Sequence, residues 1–286
     1  MKRISLIVPC LNEEEAIPAF KQEIDRVFKE CLEGYAPELI FVDDGSTDRS
    51  LEMIKKMAEH SPEVKFISFS RNFGKEAAIY AGLEAATGDY AAVMDVDLQD
   101  PPSLLPDMLK AIEKEGYDCA GTRRVTRQGE PLLRSFFARA FYKTIHQISD
   151  TRIVDGARDY KLMTRPVLEA LLSLKEYNRF SKGLYEWVGF RTKWFEYENV
   201  ERVAGETKWS FFKLFLYSIE GIVAFSTAPL ALASIMAGPP IKDSYSTSMF
   251  NSSKNPILSA IYQGMEWAEP EKKPMVSVVR SGRGVR

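Results

Sequence analysis

The segment YAAVMDVDLQDPP, residues 90–102, runs an apolar stretch into three carboxylates, Asp95, Asp97 and Asp100, within six residues. Carboxylates this close repel one another unless a cation or a donor group shares the site. Two readings stand side by side: a strand end with a solvated acidic turn, or a site for a hard cation. The donors in DVDLQD are oxygen only, which suits Mg2+ or Mn2+. Neither His60 nor His146 lies near the motif, which weighs against zinc. A cation held there would neutralise a diphosphate as it leaves.

Two further stretches carry chemistry. IFVDDGSTDRS sets Asp43 and Asp44 at a strand end, followed by Gly45 and Ser46 for a tight turn. A carboxylate so placed can accept hydrogen bonds from a base N–H or a ribose hydroxyl. Ser46 or Thr47 is expected to cap the helix that follows. SRNFGKEAA brings Lys75 to a helix start, where it opposes the helix dipole and gains nothing locally. Directed at the site, it offers a cation to a diphosphate.

The elements that must position these groups are legible as alternation. ISLIVPC, ELIFVDD, VKFISFS, YAAVMDV and YDCAGT read as strands, and segments with helical spacing of apolar residues separate them. The pattern predicts an α/β fold, a mostly parallel sheet with helices on both faces. Ligands of such sheets bind beyond the carboxyl ends of the strands. Asn12, Asp43, Asp44, Asp95 and Asp97 all fall there, on one edge, which favours a site over a solvated turn.

Composition narrows the function classes. The 286 residues are 45% hydrophobic and 27% charged, enough for a large core. A net charge of -2 gives no global attraction to nucleic acid, so anion binding must be local. Cys10, Cys31 and Cys119 have no paired spacing, which points to a reducing compartment rather than disulfides or zinc. The N-terminus lacks the length and cleavage site of a signal peptide. Beyond residue 125 the character changes. Residues 131–149 are apolar with Arg134, Arg139 and Lys143 interspersed, and 209–236 carry only Lys213 and Glu220 as charges. Pro229 and Glu220 interrupt the second as a clean span, so both read as interfacial helices at the headgroup level. Residues 237–256 are polar and turn-rich, and a basic end follows Glu271, either a tether to anionic lipid or a solvated terminus.

Taken in order, VPCLNEE, VDDGSTD, RNFGKEAA, DVDLQDPP, GTR, DYKLMTR and RVAGETKWS resemble the family-2 glycosyltransferases of the GT-A fold. More narrowly they are similar to polyprenyl-phosphate glycosyltransferases, the group of dolichol-phosphate mannose synthases and bactoprenol glucosyltransferases. Seven motifs at family spacing, over residues 1–236, make the resemblance specific. It implies that Pro9, Leu11, Glu13, Asp43 and Asp44 hold the nucleotide, with Lys75 and Asp95 beside its phosphates. Asp95, Asp97 and Gln99 would surround Mg2+ or Mn2+, Asp97 most directly. Asp159 matches the aspartate proposed as catalytic base. Arg123, Arg134, Arg202 and Lys208 would meet the acceptor phosphate, where the planar fork of arginine matches phosphate oxygens.

The chain departs from the family in lacking an arginine near Asn199. It also carries an atypical polar tail, 237–286, where the family continues past Met236 into transmembrane helices. Residues 257–279 faintly resemble the segment after the last of those helices, so a deleted or replaced membrane hairpin is expected. The resulting division is a GT-A catalytic domain over 1–208, interfacial helices over 209–236, and the tail. The resemblance implies inverting transfer of a sugar, with UDP-glucose favoured, from a nucleotide diphosphate to undecaprenyl or dolichyl phosphate. The setting is the cytoplasmic face of the cell membrane, peripheral in this form, and a homo-oligomer is left open. Competing readings are a polysaccharide or other lipid acceptor, and an inactive nucleotide-sugar-binding paralogue. A nucleotidyltransferase would carry a Gly-rich basic loop where PCLNEEEAIP is acidic.

Apolar faces with interspersed basic residues bind membranes reversibly and with salt sensitivity. The protein is therefore expected to pellet with anionic liposomes at low salt and to be partly released at high salt. Recovery wholly in the supernatant at low salt would overturn the interfacial reading.

Overall fold

The computed structural model describes residues 1–124, 154, 156–175 and 179–197, together with the backbone of 279–281. Along the chain these form β1 (Lys2–Cys10), α1 (Ala16–Cys31), β2 (Tyr35–Asp43), α2 (Ser50–His60), β3 (Val64–Ser68), α3 (Lys75–Ala85) and β4 (Tyr90–Val93). A 3-10 turn (Pro102–Leu104), α4 (Leu105–Glu115) and β5 (Cys119–Arg124) follow. Then come β6 (Ala157–Thr164), α5 (Arg165–Ser173), α6 (Ser181–Trp187), β7 (Thr192–Tyr197) and β8 (Val279–Ser281).

One sheet orders the strands β7-β5-β6-β4-β1-β2-β3-β8. The pairs β1–β2, β1–β4, β2–β3 and β5–β7 are parallel, while β6 is antiparallel to both β4 and β5, and β8 to β3. Only β6 and β8 therefore run against the common direction among the described strands, and the sheet is mostly parallel as the alternation predicts. The reversal of β6 is not foreseen by that pattern. It brings the start of β6 to the same edge as the ends of β1, β2, β4, β5 and β7.

Alternation along the strands explains the two packed faces. Ile4, Leu6 and Val8 of β1 join a cluster with Phe20 and Ile24 of α1, Ile54 of α2 and Met108 of α4. Ile7, one step out of phase, joins Ile40 and Val42 against Ile79 of α3, Leu168 of α5 and Leu184 of α6. Both faces are covered, which is why β1 and β2 read as near-continuous apolar runs. Helix α1 presents Ile17, Phe20, Ile24, Val27 and Phe28 to the sheet, one stripe at helical spacing. Helix α3 instead lies close to its face. A Cβ on Gly82 would overlap the Ile7 side chain and stand 3.2 Å from Val42 Cγ2.

The opposite, amino edge of the sheet is tied by a buried carboxylate. Glu38, 2% exposed, accepts from Ser5 Oγ, from Thr87 N at 2.9 Å and Thr87 Oγ1 at 2.6 Å, and from Lys65 Nζ at 2.5 Å. Burial works to raise this carboxyl, but Lys65, Ser5 and Thr87 outweigh it and hold the group at about 2. The helix cap expected at Ser46 or Thr47 is not what forms: α2 starts at Ser50, and its N-cap Arg49 makes no side-chain cap bond. No helix among the described residues is long and apolar enough to cross a membrane. The segments 131–149 and 209–236 lie outside the described residues.

Two stability predictions arise here. Gly82→Val should lower stability by about 1–3 kcal/mol through overpacking against β1, read as a drop in Tm without loss of the α/β circular-dichroism signature. Glu38, held below its ordinary 4.5, stabilises the fold fully above that pH and loses its contribution as pH falls towards 2. The Tm of Glu38→Gln should be lower at neutral pH and should decline less than the wild type's across that acid window. Parallel declines would remove Glu38 from the account of acid stability.

Candidate active site

The three loops that leave β1, β2 and β3 form one interlocked piece. Asn12 adopts φ 52, a left-handed conformation that asparagine tolerates. Its amide donates to Ser46 Oγ at 2.9 Å, and its Oδ1 accepts from Thr47 N at 2.7 Å. The hydroxyls expected to cap α2 thus serve the loop after β1 instead. Glu13 N donates to Ser50 Oγ at 2.8 Å. Gly45, at φ 75, lies so near the next loop that a Cβ there would meet the Arg71 carbonyl carbon at 2.6 Å. Asp44 is buried and accepts from Phe73 N at 2.7 Å and Gly74 N at 3.0 Å. Desolvation raises its carboxyl against those two amides. Asp43, also buried, accepts from Ser46 N at 3.3 Å. Pro9 lies in β1 opposite Val42, and Leu11 follows the strand, half-buried.

Asp44 in this way fixes the turn that delivers Lys75 at the first position of α3. Lys75 Nζ stands 2.7 Å from Asp95 Oδ1 and 2.5 Å from Asp159 Oδ2, bridging the loop after β4 to the start of β6. Lys182, on α6, comes within 4.0 Å of Asp159 Oδ1. Burial works against charge on Lys75, but Asp159 and Asp95 outweigh it and hold its proton firmly. Burial likewise opposes charge on Asp159, yet Lys75, Lys182 and Arg158 keep its carboxyl well below the usual carboxylate range. Asp159 is accordingly an anion at neutral pH and a poor proton acceptor.

The acidic loop itself is held tightly. Asp97, buried, accepts from Gln99 N at 3.1 Å through Oδ1. Between them Leu98 has φ 57, a conformation that costs a non-glycine residue roughly 1–2 kcal/mol and that the surroundings must enforce. Arg158 Nη2 reaches Gln99 Oε1 at 3.5 Å, and Arg158 Nε reaches Asp100 Oδ1 at 3.1 Å. Tyr197, the last residue of β7, donates its hydroxyl to the same Asp100 oxygen.

Of the residues expected from the sequence, the edge brings Asp43, Asp44, Lys75, Asp95, Asp97, Gln99 and Asp159 together. Arg123, next to last in β5, lies towards this edge but pairs with Glu196 of β7. Arg134, Arg202 and Lys208 lie outside the described residues. Sequence reasoning missed Arg158, Lys182 and Tyr197. Nothing local marks Lys182 apart from a surface lysine, and the shared partner of Arg158 and Tyr197 lies 58 and 97 residues away.

Asp95, Asp97 and the Gln99 amide form an oxygen-only donor set on one loop. No three of His, Cys, Asp and Glu converge as a closed metal cage among the described residues. An ion of the Mg2+ type takes one or two carboxylates and completes its shell with water and phosphate oxygens. The donor set therefore fits an ion that arrives with a diphosphate.

Comparisons with known proteins identify the family and the fold. The description "glycosyl transferase family 2" matches residues 5–172. The chain is 44% identical over 229 residues to CsbB of Bacillus subtilis (strain 168), whose name places it by inference among glycosyltransferases, covering 80% of this chain and 68% of that one. It is 42% identical over 230 residues to the prophage bactoprenol glucosyl transferase homolog of Escherichia coli (strain K12), covering 80% and 74%. Among solved structures, glucosyl-3-phosphoglycerate synthase from Mycobacterium tuberculosis, in complex with Mn2+, uridine diphosphate and phosphoglyceric acid, superposes with a TM-score of 0.50. That match covers 78% of each chain at 19% identity, a likeness that speaks for the fold, GT-A, alone. With the family description spanning more than half its length, the chain belongs to glycosyl transferase family 2.

Proposed function

We propose that the protein transfers a sugar, glucose from UDP-glucose, to a polyprenyl phosphate at the cytoplasmic face of a membrane, with inversion at the anomeric carbon. The observation that carries the reading is the convergence of the acidic loop and Asp159 on Lys75 at the carboxyl edge of the sheet. The Escherichia coli relative, named for bactoprenol and glucosyl transfer, supports the acceptor class and the sugar. Three free cysteines, two of them buried, support the reducing side of the membrane.

The donor would lie along the edge, its nucleotide against Pro9, Leu11, Glu13, Asp43 and Asp44, its diphosphate towards Asp95, Asp97 and Gln99. A bound Mg2+ or Mn2+ would supply charge neutralisation at the departing diphosphate. Lys75, its ammonium 2.7 Å from Asp95 Oδ1, adds positive charge beside the acidic loop. The acceptor is a phosphate monoester, whose second pKa is about 6, so at neutral pH it arrives mostly as a dianion. One of its oxygens attacks the anomeric carbon as the bond to the diphosphate oxygen breaks, and the nucleoside diphosphate leaves with the electron pair. No proton has to be removed. This agrees with the low proton affinity of Asp159, whose role is then to orient the sugar or acceptor, with Lys75 and Lys182 offsetting its repulsion of the dianion. Arg123, Arg134, Arg202 and Lys208 are the candidates for holding the acceptor phosphate.

With undecaprenyl phosphate, radiolabelled UDP-glucose and Mn2+, the protein should form a lipid-extractable glucosyl product. Asp97→Ala should reduce that transfer on the order of a hundredfold or more while leaving Tm within a few degrees of wild type. Full activity in EDTA would overturn the metal assignment, and absence of lipid-linked product from any UDP- or GDP-sugar would overturn the function.

A further inference from the structure

Asp100 closes the acidic loop at 1% exposure, yet it has no part in the chemistry above. Its Oδ1 accepts from Arg158 Nε and from the Tyr197 hydroxyl. Its Oδ2 and the hydroxyl of Tyr160 are buried without a hydrogen-bond partner among the described residues. Three separate chain segments therefore meet at one buried carboxylate: the loop after β4, the start of β6, and the end of β7. Arg158 ties the start of β6 to that loop at two successive residues. It precedes Asp159 in β6, and its guanidinium spans Asp100 and the Gln99 amide oxygen.

We propose that Arg158 is a positioning residue, which through its Gln99–Asp100 bridge holds the acidic loop in the form that receives a metal-bound diphosphate. The inference rests on the donor site assigned above and deepens it. Leu98 at φ 57 sits in the middle of this loop, and such a conformation persists only where its surroundings over-determine it. The Asp97–Gln99 bond spans Leu98, and the Arg158 bridge anchors the two residues that follow it. Without the guanidinium, the Gln99 side chain is free to rotate and Leu98 is free to relax out of the left-handed region. Asp95 would remain tied to Lys75 while Asp97 and Gln99 turn away from it. Arginine suits the task because its rigid fork addresses two oxygens at once, which a lysine ammonium on a single stem does not reproduce.

The test uses full-length protein and Arg158→Lys, which keeps the charge, with Tyr197→Phe, which keeps the ring and removes one donor to Asp100. Calorimetry with UDP as probe, with and without Mn2+, is the readout. Outer-shell partners of metal ligands cost about ten- to a hundredfold in affinity when removed. Arg158→Lys should weaken UDP binding by that factor with Mn2+ present and by much less without it, at a Tm close to wild type. Tyr197→Phe should show the same metal-dependent loss to a smaller degree. Equal weakening with and without Mn2+ would mean a general structural role and overturn the proposal, as would wild-type affinity in both variants. Should Arg158→Lys fail to fold, Tyr197→Phe decides by the same comparison. Absence of transfer by the wild-type protein would count against the proposed reaction, whereas the UDP–Mn2+ titrations judge the Arg158 bridge independently.

Discussion

The ammonium of Lys75 is the charge on which the sheet's carboxyl edge depends. Asp95 and Asp159 come from segments running in opposite directions and would repel one another without it. At an effective dielectric of 20, two unit charges 4 Å apart interact by about 4 kcal/mol, a large share of a domain's net stability. The position of Lys75 is itself inherited. Asp44 holds the amides of Phe73 and Gly74, and Gly45 lets the neighbouring turn approach the Arg71 backbone. Two motifs far apart in the chain, DDGS and RNFGK, are thus one device for delivering a cation to a pair of anions.

That device divides the edge into two regions of different character. Around Asp43, Asp44 and Asn12 the side chains are spent on backbone amides, so the loops are stiff and their shape is set before any ligand arrives. Around Asp95 and Asp159 the contacts are ion pairs, with Lys75 between the two carboxylates and Lys182 beside the second. A stiff cradle beside a polarised cluster suits a donor whose nucleotide must be gripped and whose diphosphate must separate from its sugar.

Much of this was legible in the sequence, and the limits have physical causes. The strands β1 to β5 and the collection of Asn12, Asp43, Asp44, Asp95 and Asp97 on one edge followed from alternation alone. The reversed strand β6 did not, because ARDYKLMT places a lysine where a core strand should be apolar. The structure accommodates Lys161 with its ammonium 3.3 Å from Glu186 Oε1 and over the rings of Tyr185 and Trp194 at 4.5 and 4.9 Å. Those partners are remote in sequence, so Asp159 could be singled out only by family resemblance. Ser46 and Thr47 were misread as caps because a local rule was applied to side chains whose partner, Asn12, lies on another loop. Arg158 and Tyr197 carry no local pattern at all.

The place of β6 in the sheet bears on how the chain acquires its site. β6 lies between β4 and β5, although β5 precedes it in the sequence. A chain emerging from the ribosome completes β1 to β4 with their helices, a sequence of near neighbours, before residue 157 exists. During that interval β4 is a bare edge, β5 has no strand to join, and the carboxylates after β4 lack Asp159 and Arg158. Insertion of β6 pairs β4 with a strand distant from it in sequence, the kind of non-local contact that slows folding. Unpaired strand edges invite association with other chains in the meantime. Covering of the β4 edge and completion of the Asp95–Lys75–Asp159 cluster are then a single event, so a nascent chain has no complete donor cluster while that edge is open.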